Sequence, residues 1–533
     1  MRTFGTQGPV NSEINYVVSR SEELSDFVDR VKKGKYIVLF APRQTGKTTL
    51  FRAAIDALIT EAYFPIQLNF EVYVDLTPAA FYSYLYIDVC RAIESVFQRR
   101  GSILSEDLKR FLANIEGTDH VSMRNFFQQL TGFLSSHDNS EKVVLIIDEF
   151  DAIPPEAVRG FLHSLRYIYL DDSKPRCPYS VSIVGVKNIT QLNYDRSISP
   201  FNIQDEFNLP NFTLAQVQEL LEQYTNEVGQ AFMPEVITAI HKQTAGQPFL
   251  VNRCAQILTE ELNIPKSEPI TMADFSKAHR QLLRERNINI EHLLTNIRRD
   301  RRFESILMRI ASYERGLFFS LDNDIINELA IYGVIAEGTD GMCEIVNPIY
   351  QHRILQAFKP LINGLEGEYF SEENGDDFID YLTPDEVIEM ESLLDNFQAF
   401  IARAGFRILQ VPDTPQEYVG QYLLYAYLDH FVSIAGANMF LEVQTGRGRI
   451  DILIVHNQRK YVVETKIWEG DRYYQAGKKQ LAAYLKLEEA QEGYYVVFDH
   501  RKNPMPHAET ETVDGLTIRS YVIPVMQEPP SLI

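Results

Sequence analysis

Two pairs of adjacent or nearly adjacent polar residues, each at the end of an apolar run, carry most of the chemistry that this sequence can offer. Ile37 to Phe40 (IVLF) reads as a buried strand, and Ala41, Pro42, Arg43, Gln44, Thr45, Gly46, Lys47 and Thr48 then follow the spacing of a phosphate-binding loop that opens a helix. Gly46 has no side chain to hold the backbone away from phosphate oxygens, which the loop N–H groups and the helix N-terminus would cradle. Lys47 would reach the β- and γ-phosphates, Thr48 would place a hydroxyl on Mg²⁺, and Thr49 continues the lining. The first glycine of the usual pattern is replaced by Ala41. About a hundred residues later, Lys142 to Ile147 ends in Asp148 and Glu149. A continuous apolar run delivering two carboxylates describes a central parallel strand that brings acids to the edge of a sheet. Asp148 is expected to hold Mg²⁺ through its water shell and Glu149 to polarise an attacking water, so a nucleoside triphosphate and Mg²⁺ are the expected ligands, ATP being what the resemblance below implies, with hydrolysis as the outcome.

A second set lies near the C-terminus. Asp451 falls in a strand Arg449 to Val455 and Glu464 and Lys466 in a strand Tyr461 to Ile467, joined by a hairpin turn at 456–460. Alternation along a strand points Glu464 and Lys466 the same way, and Asp451 can meet them across the hairpin. Two carboxylates and an ammonium converging beyond a small sheet suit metal-dependent phosphodiester hydrolysis. Asp451, Glu464 and the Thr465 carbonyl would bind Mg²⁺, while Lys466 would orient the water or offset transition-state charge. Glu417 on the preceding helix is a further candidate metal acid, with Glu442 behind it. The bland alternative is an ordinary cross-strand acid and lysine pair on a surface hairpin.

The elements between these sets can be read in outline. A helix Glu22 to Lys33 precedes the loop strand, a helix Thr48 to Glu61 follows it, and Pro65 to Val74 reads as a further strand. The aromatics of 77–140, such as Phe81, Tyr82 and Phe97, read as core, and Ser180 to Val186 as a strand ending at Lys187 and Asn188. Three helices are expected over 212–262, with Thr213 as an N-cap. Arg298, Arg299, Arg301, Arg302 and Arg309 then precede two helices and a hairpin turning at Thr339, Asp340 and Gly341. Helices Glu386 to Ala404 and Gln416 to Ile434 lead into a strand Met439 to Gln444.

With 533 residues the chain needs two to four domains, and 45% hydrophobic with 23% charged residues is ordinary globular composition. No apolar run reaches the ~18 residues of a membrane span and the N-terminus lacks a signal-peptide core, so a cytoplasmic location and no membrane partner are expected. The four cysteines are scattered without metal-ligand spacing. Net charge is −22, which argues against a permanent nucleic-acid coat, but 360–402 holds 12 Asp or Glu and no Lys or Arg. Arg447, Arg449, Arg459, Lys460, Arg472, Lys478 and Lys479 surround the downstream acids, and the acidic segment is expected to lie over this basic region when DNA is absent.

These motifs resemble two families. The loop and the Asp148-Glu149 strand, with Tyr16 to Arg20 (YVVSR) before them and Thr244 to Asn252 (TAGQPFLVN) after, resemble an AAA+/STAND-like P-loop ATPase of archaeal type over roughly 10–360. That resemblance implies an α/β core with a helical lid and a winged helix. It places Arg20 near the base, against a surface helix-capping arginine as the alternative. Asn188 becomes a γ-phosphate sensor and Pro248 the stiff turn of the lid. Arg196 becomes an arginine finger acting across a homo-oligomer formed on ATP binding, with Arg166 as its rival and a surface ion pair as the alternative for each. The winged helix implies DNA contact, or else protein docking, since 322–330 is acidic. GRGRID, twelve residues and ETK, with Gln480 and Tyr484 as a QxxxY element, resemble a PD-(D/E)XK nuclease-like α/β domain over 385–515.

The expected organisation is therefore a P-loop core over 1–210, a lid over 211–290, a winged-helix-like module over 291–359, an acidic linker over 360–384 and a nuclease-like domain over 385–533. The function implied is an ATP-dependent regulator of a metal-dependent DNA-cleaving domain, an architecture resembling mobile-element and antiviral defence proteins. The alternatives are a signalling or scaffold ATPase whose nuclease-like domain binds without cutting, and a DNA-loading motor.

Overall fold

The computed structural model describes residues 1–42, 44–60, 62–114, 117–136, 139–173, 175–185, 203–285, 317–357, 381–409, 416–445, 448–501 and 505–525, together with 295, 302, 303, 306, 307 and 310. The chain divides into two compact units. The first comprises Met1–Gln230, Gln247–Gln256 and Ile331–Gly333, and the second Ala231–Gly246, Ile257–Ala330 and Val334–Ile533.

In the first unit two short strands, β1 (Thr3–Phe4) and β2 (Asn15–Tyr16), pair in parallel ahead of helix α1 (Ser21–Lys32). Acidic Glu22 and Glu23 in the first turn of α1, and Arg30 and Lys32 in its last, match the helix dipole. Strand β3 (Tyr36–Phe40) leads through the loop into α2 (Lys47–Ile59), and β4 (Tyr63–Asn69) returns to the sheet. Helices α3 (Pro78–Arg99), α4 (Glu106–Ala113) and α5 (His120–Leu134) precede β5 (Lys142–Asp148). Helix α6 (Pro155–Leu170), β6 (Ser180–Gly185) and β7 (Gln204–Glu206) complete the core.

Among the described residues these strands form one five-stranded sheet in the order β4-β5-β6-β3-β7, with each neighbouring pair parallel. Alternate residues of one strand enter different cores. Ile37 and Leu39 pack with Phe27, Phe51 and Ile55 of α1 and α2. Tyr36 and Val38 pack on the other face, in the cluster that also holds Phe81, Phe127 and Phe161 of α3, α5 and α6. Both faces are thus covered, which is why β3 and the Val143–Ile147 stretch of β5 are continuously apolar rather than alternating. The strand expected over Pro65 to Val74 stops at Asn69, whose side chain accepts the Glu71 N–H at 2.9 Å and starts a tight helical turn, Phe70–Tyr73.

The helices expected after 212 are α7 (Leu214–Val228), α8 (Pro234–Thr244) and α9 (Pro248–Gln256). The first opens with a reciprocal cap in which Thr213 Oγ1 accepts the Gln216 N–H at 3.2 Å and Gln216 Oε1 accepts the Thr213 N–H at 3.0 Å.

In the second unit, α10 (Met272–Arg284), α11 (Asp324–Ile331), the hairpin β8 (Ile335–Glu337) with β9 (Cys343–Ile345), and α12 (Pro348–Ala357) precede the C-terminal sheet. Helices α13 (Met390–Leu409) and α14 (Gln416–Ala435) are followed by β10 (Asn438–Thr445), β11 (Gly448–His456), β12 (Arg459–Ile467), α15 (Asp471–Leu487), β13 (Glu492–Asp499), β14 (His507–Val513) and β15 (Leu516–Pro524). They form a six-stranded sheet, β10-β11-β12-β13-β15-β14, antiparallel at both ends and parallel where β13 meets β12 and β15.

The turn between β11 and β12 is shorter than the five residues expected. His456 pairs with Arg459, and Asn457 and Gln458 both take positive φ, as a two-residue hairpin requires. Tyr461, Val463, Tyr494 and Val496 pack against Leu393, Leu424 and Phe431 of α13 and α14. Glu464 and its parallel neighbour Tyr495 face the other side, where Gly477 of α15 approaches the Tyr495 hydroxyl so closely that a Cβ would collide with it. Residues 358–380, which hold seven of the twelve acidic residues of 360–402 and most of the expected linker, and most of the arginines at 298–309 lie outside the described residues. Among the described residues no helix is long and apolar enough to cross a membrane.

Candidate functional sites

The phosphate loop occupies the C-terminal edge of the parallel sheet, between β3 and α2, where ligands of open α/β sheets bind. Gly46 is the N-cap of α2 with φ 90°, a conformation that disfavours a Cβ, and Gln44 shares the left-handed region at φ 61°. The Lys47 ammonium, 7% exposed, donates to the Ala41 and Pro42 carbonyls at 2.5 and 3.0 Å. Thr45 Oγ1 donates to the Pro42 carbonyl at 3.1 Å, so the loop is braced from both ends. Thr48 Oγ1 donates to Asp148 Oδ2 at 3.0 Å, and Asp148 Oδ1 accepts the Glu149 N–H at 3.0 Å. Asp148 is 5% exposed and Glu149 has φ 52°. The loop hydroxyl and the strand carboxylate expected to share a cation therefore meet directly.

A cavity of about 650 Å³ opens over these groups, lined by Gly46, Lys47, Thr48 and Thr49, by Asp148 and Glu149, and by Arg20 and Pro248. Arg20 is 6% exposed; its guanidinium donates to the Pro210 carbonyl at 3.0 Å and the Thr45 carbonyl at 3.3 Å and covers the Phe212 ring at 4.7 Å. Burial brings its pKa down to about 10, against an opposing pull from Glu23. It is therefore a bridge between the loop and the segment leading to α7, not a surface cap. Arg43, Asn188 and Arg196 lie outside the described residues. Arg166, the rival to Arg196, is half-buried on α6, with its Nε hydrogen unpartnered.

Several cavity residues escaped the reading of the sequence. Thr6 and Val10 belong to a segment without periodicity, and Asn252 closes the TAGQPFLVN motif, in which Pro248 alone is singled out. Gln67, Asn69 and Glu71 were detectable, because they lie at the end of a parallel strand, where the sheet's ligands gather.

In the C-terminal sheet the ladder between β11 and β12 is registered as far as Ile452 and Val463. One residue beyond it, Asp451 Oδ2 accepts the Thr465 N–H at 2.7 Å and its hydroxyl at 2.9 Å. Lys466 Nζ lies 2.8 Å from Glu464 Oε1 and 4.0 Å from Asp451 Oδ2, so the three residues expected to converge do so. Glu464 is fully buried and its Oε2 has no hydrogen-bond partner. Burial first, and Asp451 second, push its pKa up to about 8 against the pull of Lys466. Burial works against the Lys466 charge, but Asp451 and Glu464 outweigh it and raise its pKa.

Gln421 of α14 donates to Thr465 Oγ1 at 3.2 Å, a support the sequence did not suggest, and Gln480 donates to the Tyr484 hydroxyl at 2.7 Å. The side chains of Glu417 and Glu442 lie outside the described residues. Two of the basic residues expected around the acids are engaged elsewhere. Lys478 pairs with Glu509 at 2.6 Å and with Glu511, and Lys460 with Glu488 at 2.8 Å. Among the described residues no group of three or more His, Cys, Asp or Glu side chains is placed to hold a metal ion. The fit to a hard cation rests instead on two neighbouring carboxylates and the unpartnered, buried Glu464 oxygen, a donor set of the oxygen type such ions take.

A parallel sheet with helices on both faces, a glycine-capped loop at its edge and an acid meeting the loop threonine define a P-loop ATPase-like core. A family model described as AAA-like domain matches residues 5–351, well over half of the chain, and the chain belongs to that family. A domain of unknown function (DUF8371) matches residues 388–502. No curated protein matches the chain.

Solved structures similar to it include the Walker-type ATPase PABY2304 of Pyrococcus abyssi, at 14% identity and a TM-score of 0.46, covering 66% of this chain and 99% of that one. The Aeropyrum pernix ORC1 protein in complex with DNA matches at 16% identity and a TM-score of 0.29, covering 66% of this chain and 94% of its own. The Thermotoga maritima RuvB Holliday junction branch migration motor matches at 15% identity and a TM-score of 0.34, covering 66% and 98%.

Proposed function

We propose that the chain binds and hydrolyses ATP and that its nucleotide state regulates a metal-dependent DNA-cleaving activity of the C-terminal sheet. The first half is supported by the family and by the loop chemistry. Lys47 would hold the β- and γ-phosphates, and Thr48 and Asp148 would hold Mg²⁺, whose charge would offset that of the phosphates. Glu149, which lines the cavity next to Asp148, would orient and polarise a water.

The second half is carried by one observation: Asp451 and Glu464 converge on Lys466 while a buried Glu464 oxygen has no partner. Asp451, Glu464 and the Thr465 carbonyl would hold Mg²⁺, which would supply Lewis-acid polarisation of a phosphodiester. Lys466 would position a water or stabilise developing negative charge. The helix-hairpin-helix order of α11 to α12 supports a winged-helix-like module, and nucleotide-dependent self-assembly and DNA contact belong to the same reading. Its architecture associates it with mobile-element or antiviral defence.

The test is to mix the full chain with plasmid and Mg²⁺ or Mn²⁺, with and without ATP, and to compare Glu464→Ala and Lys47→Ala. Metal-dependent cutting lost in the first variant, and no longer ATP-responsive in the second, is the expected result. A second reading, a scaffold ATPase whose C-terminal domain binds without cutting, is favoured by the engagement of Lys460 and Lys478 with Glu488, Glu509 and Glu511, which reduces the cationic surface open to DNA. Absence of cutting under every condition, with ATP turnover intact, would select it.

A further inference from the structure

The cavity above the loop is lined by two kinds of group: the charged and polar Lys47, Thr48, Asp148 and Glu149, and the apolar Val18, Phe212, Leu220 and Phe249, with the Arg20 guanidinium over the Phe212 ring at 4.7 Å. Helix α9 contributes to its wall. At its start Gln247 Nε2 donates to the Gln44 carbonyl of the loop at 3.4 Å, and at its end Gln256 Oε1 accepts from Thr6 Oγ1 at 3.2 Å. Pro248, Phe249 and Asn252, spaced to share one side of the helix, line the cavity. At 1.5 Å of rise per residue, Asn252 lies about 7.5 Å along the helix axis from Gln247 and its contact with the loop.

Asn252 is 7% exposed. Its Nδ2 donates to the Pro248 carbonyl at 2.8 Å, and its Oδ1 is buried with no partner. The donor bond fixes the amide, since a flip would set Oδ1 against a carbonyl oxygen and forfeit that bond. A buried acceptor locked in this orientation is costly unless a ligand satisfies it.

We propose that Asn252 is the base-reading residue of the nucleotide cavity, its Oδ1 accepting a hydrogen bond from the 6-amino group of adenine and rejecting 6-oxopurines. This rests on the nucleotide reading given above and adds the source of its specificity. Adenine offers a donor at position 6, whereas hypoxanthine and guanine offer a second acceptor that the locked amide cannot accommodate. Val18, Phe212, Leu220 and Phe249 suit the faces of a purine ring; of the lining side chains with a buried, unpartnered oxygen, Gln44 belongs to the phosphate loop and the Tyr16 hydroxyl can donate as well as accept, which leaves Asn252 Oδ1 as the fixed acceptor.

The experiment is equilibrium binding of ATP, ITP and the 6-unsubstituted purine riboside triphosphate to the full chain in Mg²⁺, with Asn252→Leu alongside. Wild type is expected to bind ATP more tightly than ITP by on the order of ten-fold or more, with the 6-unsubstituted analogue between them. In Asn252→Leu the ATP-to-ITP ratio should fall close to one. Equal affinities of wild type for ATP and ITP would overturn the assignment without any variant, and so would a ratio unchanged in a folded Asn252→Leu protein. Binding of no triphosphate, with Lys47→Ala indistinguishable from wild type, would overturn the nucleotide reading itself and this assignment with it.

Discussion

Thr48 Oγ1 donates to Asp148 Oδ2 at 3.0 Å, tying the first turn of α2 to the end of β5 across a sequence separation of 100 residues. The contact requires one intervening strand, β6, to hold β3 and β5 at a fixed spacing. It places a hydroxyl and a carboxylate, the two protein ligands a nucleotide-bound Mg²⁺ would need, within one hydrogen bond of each other.

Replacing Thr48 by Ala removes the hydroxyl while leaving the helix intact, so Mg²⁺-dependent ATP turnover should fall by roughly ten-fold or more, whereas Thr48→Ser should keep most of it. Phosphate release measured across a Mg²⁺ series distinguishes the two. Equal rates for Thr48→Ala and wild type would remove the hydroxyl from the site.

Gly46 gives a cleaner separation of backbone from contact. Its φ is 90°, and a Cβ built there meets no atom within 4 Å. The cost of Gly46→Ala is therefore conformational, about 1–2 kcal/mol for a left-handed non-glycine residue, rather than a clash. Denaturant unfolding should show a loss of that size without nucleotide. A loss much larger would mean that the loop had rearranged.

How far the residues announce this arrangement depends on whether a signal is local. The loop and the Asp148-Glu149 strand were legible because each packs strand, turn and ligand into fewer than fifteen consecutive positions. The hairpin carrying Asp451 and Glu464 was legible because strand alternation dictates which side chains meet, and the structure differs there only in its shorter turn at Asn457 and Gln458. The end of β4 is not legible, since Phe70 to Val74 is as apolar as the strand before it. Asn69 stops the strand by capping the following turn, an event governed by one side chain. The part of the cavity wall that Thr6 supplies is not legible, because no periodicity marks its segment and it meets Gln256 of α9 across 250 positions. Strands β13 to β15 likewise carry no motif that marks them, although Glu492–Asp499 is apolar over most of its length.

Arg20 links the loop to the segment before α7 through the Thr45 and Pro210 carbonyls. Arg20→Met keeps much of the packing over Phe212 but leaves two carbonyls without their donor. A stability loss of about 2 kcal/mol is expected. Nucleotide affinity should fall with it, because Thr45 lies in the loop itself. Arg20→Lys, with one point donor in place of a fork, should recover only part of either. Wild-type nucleotide affinity in Arg20→Met would confine the residue to a structural role.

His279 sits on α10 within the second unit, its ring 5.7 Å from Phe275 and 5.2 Å from Phe440 of β10, and its Nε2 is buried without a partner. Next to it Arg280 donates to the Gly436 and Ala437 carbonyls, both at 3.0 Å, holding the end of α14 and the start of β10. Burial, with Arg280 adding to it, lowers the His279 pKa from 6.5 to about 4. His352 of α12, hydrogen-bonded to Tyr425, is lowered to about 3 by burial and by the charges of His279, Arg353 and Arg284. Above pH ~6.5 both rings are neutral folded or unfolded, and neither contributes a pH dependence. Below it the unfolded chain takes up protons that the folded chain refuses, so stability falls as pH drops toward 4, by at most about 3 kcal/mol for His279. His279→Phe keeps a ring against Phe275 and Phe440 and removes that proton. Its unfolding free energy should therefore decline less steeply than wild type between pH 6.5 and 4, with the remaining slope reporting His352 and other groups common to both proteins. Denaturant titrations across that range read the difference directly, and identical slopes would mean that His279 is protonated without opening this contact.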